Sequence, residues 1–160
     1  MLVTRLPLAA SDNALVVINF HLEAYDSGEG KQAQTRQLLD LMQAEDQKGN
    51  FGIAGGDFNQ IFPGVKTDTK PTSQWVPGSL DPFPENMDSW RYVFDDSVPT
   101  CRLLNQPYRP EDPMTQYYVI DGFIVSPNVE VVSVKTLDEG FMYSDHNPVL
   151  MNVKLTPSAP

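Results

Sequence analysis

A chain of 160 residues, 41% of them hydrophobic and 20% charged, can bury one core and has the composition of a globular protein. No apolar run approaches the roughly 20 residues of a bilayer span, so the sequence predicts no membrane span. Eleven basic against 21 acidic residues give a formal charge of −10, which disfavours non-specific binding of long nucleic acids. The lone cysteine, Cys101, excludes an intramolecular disulfide, and we interpret it as a small buried residue.

The chain begins with two predicted strands. Residues 2–9 form the first, and the polar turn at residues 11–13 leads to the second, residues 14–22. All even positions of the second strand are apolar, whereas Asn19 and His21 add polarity to its odd face near the end. A histidine there is more often a structural hydrogen-bonding group than a catalyst. Strand ends are nevertheless where α/β proteins build their sites.

A helix and a third strand follow. Residues 23–30 predict a loop, and their DSGEG run lacks the carboxylate spacing of a calcium loop. Residues 31 to about 48 carry apolar side chains at helical spacing and end at Gly49. Residues 51–58 predict the next strand. The strand–helix–strand order indicates a crossover unit of an α/β or α+β fold.

The second half begins with a long region rich in proline. Residues 61–116 also contain both tryptophans, so we expect ordered loops with a short helix or strand near residues 88–94. Such loops either shape a pocket or merely cover the core. The remaining predicted strands are residues 117–125, 129–134 and 148–155, the first two joined by a turn at residues 126–128.

Three polar motifs end or interrupt apolar strands: Gly-Asp-Phe-Asn at 56–59, Ile-Asp-Gly-Phe at 120–123 and Ser-Asp-His-Asn-Pro-Val at 144–149. In the first, two glycines let the chain bend just before Asp57, and the spacing predicts that Asp57 and Asn59 share one face. Such a pair suits a site that holds a water, a hydrated cation and an anionic oxygen. Taken alone, it also fits a glycine turn closed by an Asx side chain.

Together with Asn-Phe-His-Leu at 19–22, these motifs resemble the endonuclease/exonuclease/phosphatase superfamily of DNase I-like, metal-dependent phosphoesterases. The resemblance covers about residues 14–155. It implies an α/β (α+β) fold that is half of a DNase I-like four-layer α/β-sandwich, with one mixed sheet and a helix on one face. Residues 1–160 would then form a single domain that resembles the C-terminal half of such a protein.

The resemblance implies that five residues are catalytic: His21, Asp57, Asn59, Asp121 and His146. His146 would touch the scissile phosphate, Asp121 would orient and polarise it, and His21 would be a second phosphate contact. Asp57 and Asn59 would position and deprotonate the attacking water. In-line attack on phosphorus needs these groups and a cation that neutralises the developing charge.

The resemblance also implies a divalent cation, Mg²⁺ or Mn²⁺, beside Asp145 and Asp57. The sequence departs from the family's pattern at two places. Gly122 replaces the aromatic residue that usually follows the aspartate, which we expect to loosen the packing around Asp121. The family's early asparagine and its principal metal-binding glutamate, usually in a Gln-Glu pair, are not found before Ala14.

Two functions remain open from the sequence. The first is a metal-dependent phosphoesterase, incomplete as this chain, acting on a phosphodiester or phosphomonoester; small phosphoesters and lipid headgroups are favoured over long nucleic acid. The second is a catalytically silent binding or interaction module that keeps the fold. Because the family's sheet packs against a second sheet, we expect a homo-oligomer or pairing with the missing N-terminal half. The sequence does not decide the cellular compartment.

Overall fold

The computed structural model describes residues 1–9, 11–25 and 28–156. One long helix, α1, spans Glu29–Asp46, and a short 3₁₀ turn spans Glu85–Met87. The strands in the described part of the chain are, in order, β1 (Leu2–Pro7), β2 (Ala14–His21), β3 (Phe51–Asp57), β4 (Gln60–Ile61), β5 (Gly78–Ser79), β6 (Arg91–Val93), β7 (Cys101–Arg102), β8 (Tyr117–Tyr118), β9 (Asp121–Val125), β10 (Val129–Thr136) and β11 (Val149–Leu155).

Five strands form one mixed sheet in the order β1-β2-β3-β9-β6. β1 and β2 are an antiparallel hairpin, and β2 and β3 are parallel neighbours connected through α1, as the strand–helix–strand pattern predicts. β9 runs antiparallel to both β3 and β6. The predicted fold class, one mixed sheet with a helix on one face, is confirmed.

The main core lies between this sheet and α1. Val16, Ile18 and Ala54 point from the sheet toward Leu38 and Met42 of the helix, and all five are almost completely buried. The apolar even positions of β2 therefore face the helix, because successive side chains of a strand alternate between its two faces. Asn19 and His21 are on the opposite, exposed face.

A second hairpin, β10–β11, packs on that opposite face. Its Val129, Val131 and Val153 form an apolar cluster with Phe51 and Val125 of the main sheet. The sequence analysis predicted both strands of this hairpin but did not assign them to the second face of the sheet. The hairpin covers part of the face, and large apolar side chains of β1 and of the hairpin stay exposed: Leu2, Leu6, Val132 and Leu150.

Most predicted elements agree with the structure to within two or three residues. The predicted strand 117–125 is the main exception, because it is two strands, β8 and β9, that pair with different partners. The break is at Ile120, whose amide donates to Thr100 Oγ1 (3.0 Å) and whose carbonyl accepts from the Phe58 amide (2.9 Å). The predicted element near residues 88–94 is the strand β6.

The remaining expectations concern α1 and membranes. α1 begins at Glu29, so it includes the last two residues of the predicted loop 23–30. Asp26 and Ser27 of that loop lie outside the described residues. Gly49, with φ of +81°, follows the helix end as predicted.

No helix in the described part of the chain has the length and apolar character needed to cross a membrane.

A buried carboxylate connects α1 to the sheet. Glu45, with 2% of its surface exposed, accepts hydrogen bonds from Arg5 (2.7 Å), Lys48 (2.9 Å) and Asn50 (2.7 Å). The hydrogen bond from Arg5 outweighs the effect of burial and lowers the pKa of Glu45 to about 2. The folded state thus binds fewer protons at this group than the unfolded chain.

The replacement Glu45→Gln should lower the free energy of unfolding by about 1–3 kcal/mol at neutral pH, because it removes charge-assisted hydrogen bonds from a buried site. The contribution of Glu45 is fully present above its unfolded pKa of about 4.3. It is lost as the pH falls toward the folded pKa of about 2. Urea unfolding of both proteins at neutral pH and at about pH 2–3 measures this convergence.

Asp40→Asn is the matched control, since Asp40 is an exposed carboxylate on the same helix. Its free energy of unfolding should stay within about 0.5 kcal/mol of the wild type. Equal destabilisation by both replacements, or a Glu45→Gln effect that persists unchanged in acid, would contradict this account of Glu45.

Candidate functional site

Strand register places three of the predicted site residues in one row. His21 at the end of β2 is directly opposite Asp57 at the end of β3, and Asp57 is directly opposite Asp121 at the start of β9. All three side chains project from the face opposite α1, because the buried residues Phe20 and Ala54 occupy the alternate positions. The apolar pattern that buries one face of the sheet thus aligns the polar groups on the other.

The turn after β3 fixes the Asp57 carboxylate. The Asn59 amide N–H donates to Asp57 Oδ1 (2.7 Å), while its side-chain Nδ2 donates to Leu22 O (2.9 Å) and Asp57 Oδ2 (3.2 Å). Asn59 adopts φ of +49°, in the left-handed region that asparagine tolerates. Asn59 thus lies in a turn after the strand and not at the next position of one strand face, and its contact with Asp57 is the Asx turn of the alternative interpretation.

Gly56 is required where the strand approaches β2. A Cβ atom on it would lie 1.9 Å from the carbonyl oxygen of Phe20, so any side chain would push the two strands apart. Glycine before Asp57 therefore serves close approach of two backbones as well as the bend.

His146 joins the row from a distant segment of the chain. Its backbone bridges to Cys101, and the next amide, that of Asn147, donates to Thr100 O (2.8 Å). Thr100 is fully buried, and its Oγ1 accepts a hydrogen bond from the Asp121 amide (3.1 Å). Thr100 therefore positions both the segment of His146 and the start of β9, where Asp121 lies. His146 Nδ1 then lies 2.9 Å from Asp121 Oδ2 and donates to it.

The electrostatics of the row favour a charged His146 and a more basic Asp57. Burial lowers the pKa of His146, but hydrogen bonds with Asp121 and Cys101 and the charge of Asp121 outweigh it and raise the pKa to about 11. Burial, reinforced by the neighbouring charge of Asp121, raises the pKa of Asp57. The hydrogen bond from the Asn59 backbone opposes that rise in pKa, and so does the positive charge of the two histidines.

A cavity of about 480 Å³ opens over these groups. Its polar side contains His21, Asp57, Asn59, Asp145 and His146, and its walls are mostly apolar or aromatic: Trp75, Tyr118, Leu103, Leu104 and Ile120. Trp75 and several of the wall residues come from the proline-rich region 61–116, which therefore helps to shape the cavity, one of the two roles expected for it.

Among the described residues, one group could hold a metal ion with closely spaced atoms. One ligand atom each of Asp57, Asp121 and His146 lies within 4.8 Å of the others. Asp145, the predicted metal ligand, lines the same cavity but is outside that group, and Ser144 Oγ lies 3.5 Å from its Oδ1. Its role stays a prediction, as do the roles of the five catalytic candidates.

Sequence reasoning missed two contributors to the site. Cys101 is buried as expected, yet it lines the cavity, and its backbone bridges to that of His146. Thr100 organises Asp121 through the hydrogen bonds described above. Neither has a local signal, because each acts through contacts with residues 20 or more positions away in the chain.

Comparisons with known proteins support the fold. No family model and no curated protein matches the sequence. Several solved structures are similar in fold. Among them is an endonuclease/exonuclease/phosphatase from Beutenbergia cavernae, with 23% sequence identity and a TM-score of 0.59, over 96% of this chain and 39% of that one. A conserved protein of unknown function from Enterococcus faecalis is 17% identical, with a TM-score of 0.56, over 92% of this chain and 52% of that one. TDP2 from Caenorhabditis elegans is 13% identical, with a TM-score of 0.51, over 93% of this chain and 48% of that one.

These matches confirm the resemblance at the level of the fold. The chain has a mixed α/β architecture similar to part of the DNase I-like fold of the endonuclease/exonuclease/phosphatase superfamily. It spans about half or less of the length of these solved structures.

The expectation that Gly122 loosens the packing of Asp121 is wrong. Gly122 is buried, and a Cβ atom on it would lie 2.7 Å from the Phe62 ring and 2.9 Å from the Val93 carbonyl oxygen. Phe62 occupies the space that an aromatic side chain would otherwise fill. The strand is therefore tightly packed where Asp121 begins it.

Gly122→Ala should lower the free energy of unfolding by about 1–3 kcal/mol, because the added methyl group overpacks this contact. Gly78→Ala is the control, since no heavy atom lies within 4 Å of its added Cβ. Its stability should change by less than about 1 kcal/mol. Urea unfolding decides the matter, and a harmless Gly122→Ala would show that the space beside Asp121 is loose after all.

Proposed function

We propose that this chain carries the catalytic row of a metal-dependent phosphoesterase of the endonuclease/exonuclease/phosphatase superfamily, which hydrolyses a phosphodiester or phosphomonoester. The observation that carries the proposal is the aligned row of His21, Asp57 and Asp121, with His146 hydrogen-bonded to Asp121 and with His21, Asp57 and His146 lining one cavity. The structural likeness to an endonuclease/exonuclease/phosphatase supports it.

Each residue of the row has a chemical task in this proposal. Asp57, whose pKa is raised, accepts the proton of the attacking water, and Asn59 holds the Asp57 carboxylate in place. His146, charged at neutral pH, donates from Nε2 to a non-bridging phosphate oxygen, while Asp121 holds its ring by Nδ1. His21 adds a second contact with the phosphate.

The proposal includes a divalent cation, Mg²⁺ or Mn²⁺. Its fit to these residues rests on donor chemistry, because Asp57 and Asp145 present carboxylate oxygens to one cavity and hard cations take oxygen ligands. Mg²⁺ typically uses one or two protein carboxylates and fills the other positions with waters and substrate oxygens. When bound, such a cation neutralises charge that develops on the transferred phosphoryl group.

The favoured substrate is a small phosphoester or a lipid headgroup. The net charge of −10 opposes long polyanions. The cavity has apolar and aromatic walls beside the acidic row, and Arg102 is the one arginine or lysine among the residues that line it. A compact phosphate with an apolar or aromatic substituent would fit such walls.

The replacements His146→Ala and Asp57→Asn should each lower kcat by about 10²-fold or more, because each removes an interaction made in the transition state. KM should change less. The measurement is Mg²⁺-dependent hydrolysis of a chromogenic phosphodiester and phosphomonoester by the purified chain. The control is Asp68→Asn, because Asp68 is exposed and paired with Lys70 outside this cavity. Turnover like that of the wild type in His146→Ala or Asp57→Asn would defeat the assignment.

A second candidate function is a catalytically silent binding module. It is favoured by one observation: the solved structures of similar fold are about twice as long as the part that this chain matches, or longer. In that case the isolated chain should bind neither Mg²⁺ nor Mn²⁺ in the millimolar range by calorimetry. It should also show no phosphoesterase turnover with either metal.

We also propose that the face beside β10–β11 binds further polypeptide, either a second copy of this chain or the remaining layers of the fold. The exposed residues Leu2, Leu6, Val132 and Leu150 would lose contact with water there, at roughly 25 cal/mol for each Å². In the longer solved structures, further chain is available to the same fold.

Light scattering of the isolated chain should show a dimer or larger assembly at high micromolar concentration. Val132→Lys and Leu150→Lys, which place charge on this exposed edge, should shift it toward a monomer. Tyr25→Lys is the control, since Tyr25 is exposed at the mouth of the catalytic cavity and away from this hairpin. A monomer of 17.9 kDa without dye-binding apolar surface would exclude self-association.

A further inference from the structure

Arg102 lies in the wall of the cavity, next to the segment that carries His146. It is the second residue of β7, and its amide donates to Asp145 O (2.9 Å), while the preceding residue, Cys101, bridges to His146. The side chain is half-buried and lines the same cavity as the two histidines. An arginine therefore shares the space into which the proposed substrate enters.

The guanidinium group of Arg102 has no acceptor. Its Nε is buried and without a hydrogen-bond partner, and no ion pair in the described part of the chain includes this residue. Two other arginines of the chain are bonded: Arg5 donates to Glu45, and Arg91 donates to Val129 O. A buried donor without an acceptor is unfavourable, and arginines that stabilise a fold normally satisfy their donors. The position of Arg102 is thus not explained by structure alone.

An aromatic ring holds the group in place. The Cζ atom of Arg102 lies 4.5 Å from the centroid of the Tyr108 ring, which packs edge-on against Phe141. This cation–π contact occupies one face of the planar guanidinium and leaves its N–H edge available. Because Nε is buried, the accessible part of that edge is the end with the two Nη groups. These two groups form the fork that binds a carboxylate or a phosphate with two parallel hydrogen bonds.

We propose that Arg102 binds a second anionic group of the substrate, a carboxylate or a phosphate, through its two Nη groups. The inference rests on the proposed function, in which His146 and His21 contact the phosphate that is hydrolysed. It narrows the substrate to a small phosphoester that carries another oxyanion. In a chain of net charge −10, a cation without a protein partner in the cavity is the group that offsets the repulsion of such a doubly anionic molecule.

The first experiment measures binding by calorimetry, without metal and at constant ionic strength. The probes are butyl phosphate, its analogue with a terminal carboxylate and its analogue with a terminal phosphate. We expect at least one of the two analogues to bind about tenfold or more tightly than butyl phosphate, although the net charge of the chain repels it more strongly. The analogue that gains affinity identifies the second group. Equal affinities, or no binding of any probe, would overturn the proposal.

Replacements of Arg102 separate a two-point contact from a general effect of charge. Arg102→Gln should abolish the gain in affinity, and Arg102→Lys should restore only a small part of it, because lysine keeps the charge but lacks the planar fork. Arg109→Gln is the matched control, since Arg109 is an exposed arginine that does not line the cavity. It should keep the gain within about twofold. A full gain in Arg102→Lys, or its loss in Arg109→Gln, would contradict direct binding by Arg102.

Nuclear magnetic resonance tests the contact in the unaltered chain. The side-chain nitrogen signals of Arg102, assigned through the backbone, should shift when the tighter-binding analogue is added. Butyl phosphate should leave them in place and shift only the imidazole signals. Unchanged Arg102 signals in the presence of bound analogue would exclude the proposed contact.

The same probes distinguish the failure of this inference from the failure of the proposed function. Binding that depends on Arg102, with no hydrolysis of any probe in the presence of Mg²⁺ or Mn²⁺, would reject the phosphoesterase and keep the anion site. Hydrolysis of all three probes with the same KM, unchanged in Arg102→Gln, would keep the phosphoesterase and reject the anion site.

Discussion

The register between β2, β3 and β9 is the constraint on which the site depends. It places His21, Asp57 and Asp121 opposite one another, and a slip of one residue would turn each of these side chains toward the helix. The apolar core under α1 and the contact of Gly56 with the Phe20 carbonyl both fix this register. Packing on one face of the sheet thus determines chemistry on the other, and core replacements far from the cavity can alter the site.

The charge balance of the site follows from how it is buried. Burial and the neighbouring charge of Asp121 raise the cost of ionising Asp57, in a chain that is already negative. His146 relieves this cost because its ring donates to Asp121 and approaches Asp57. The positive charge of the His146 ring thus lies next to both carboxylates of the row.

The sequence predicted those parts of the molecule that depend on local pattern. Alternation in β2, helical spacing in α1 and the glycines before Asp57 each encode a local geometry, and the motifs around His146 were informative by resemblance. It did not predict the break at Ile120, the hairpin β10–β11 on the second face or the part of Thr100. These depend on hydrogen bonds and apolar contacts between distant segments, which no window of sequence contains.

The two carboxylate oxygens of Asp57 have different contacts. Oδ1 accepts the Asn59 amide at 2.7 Å, so it is bound into the turn. Oδ2, which also meets the Asn59 side chain, is the oxygen that both histidines approach. Oδ1 therefore fixes the orientation of the carboxylate, and Oδ2 is the oxygen of Asp57 that is left to interact with the histidines.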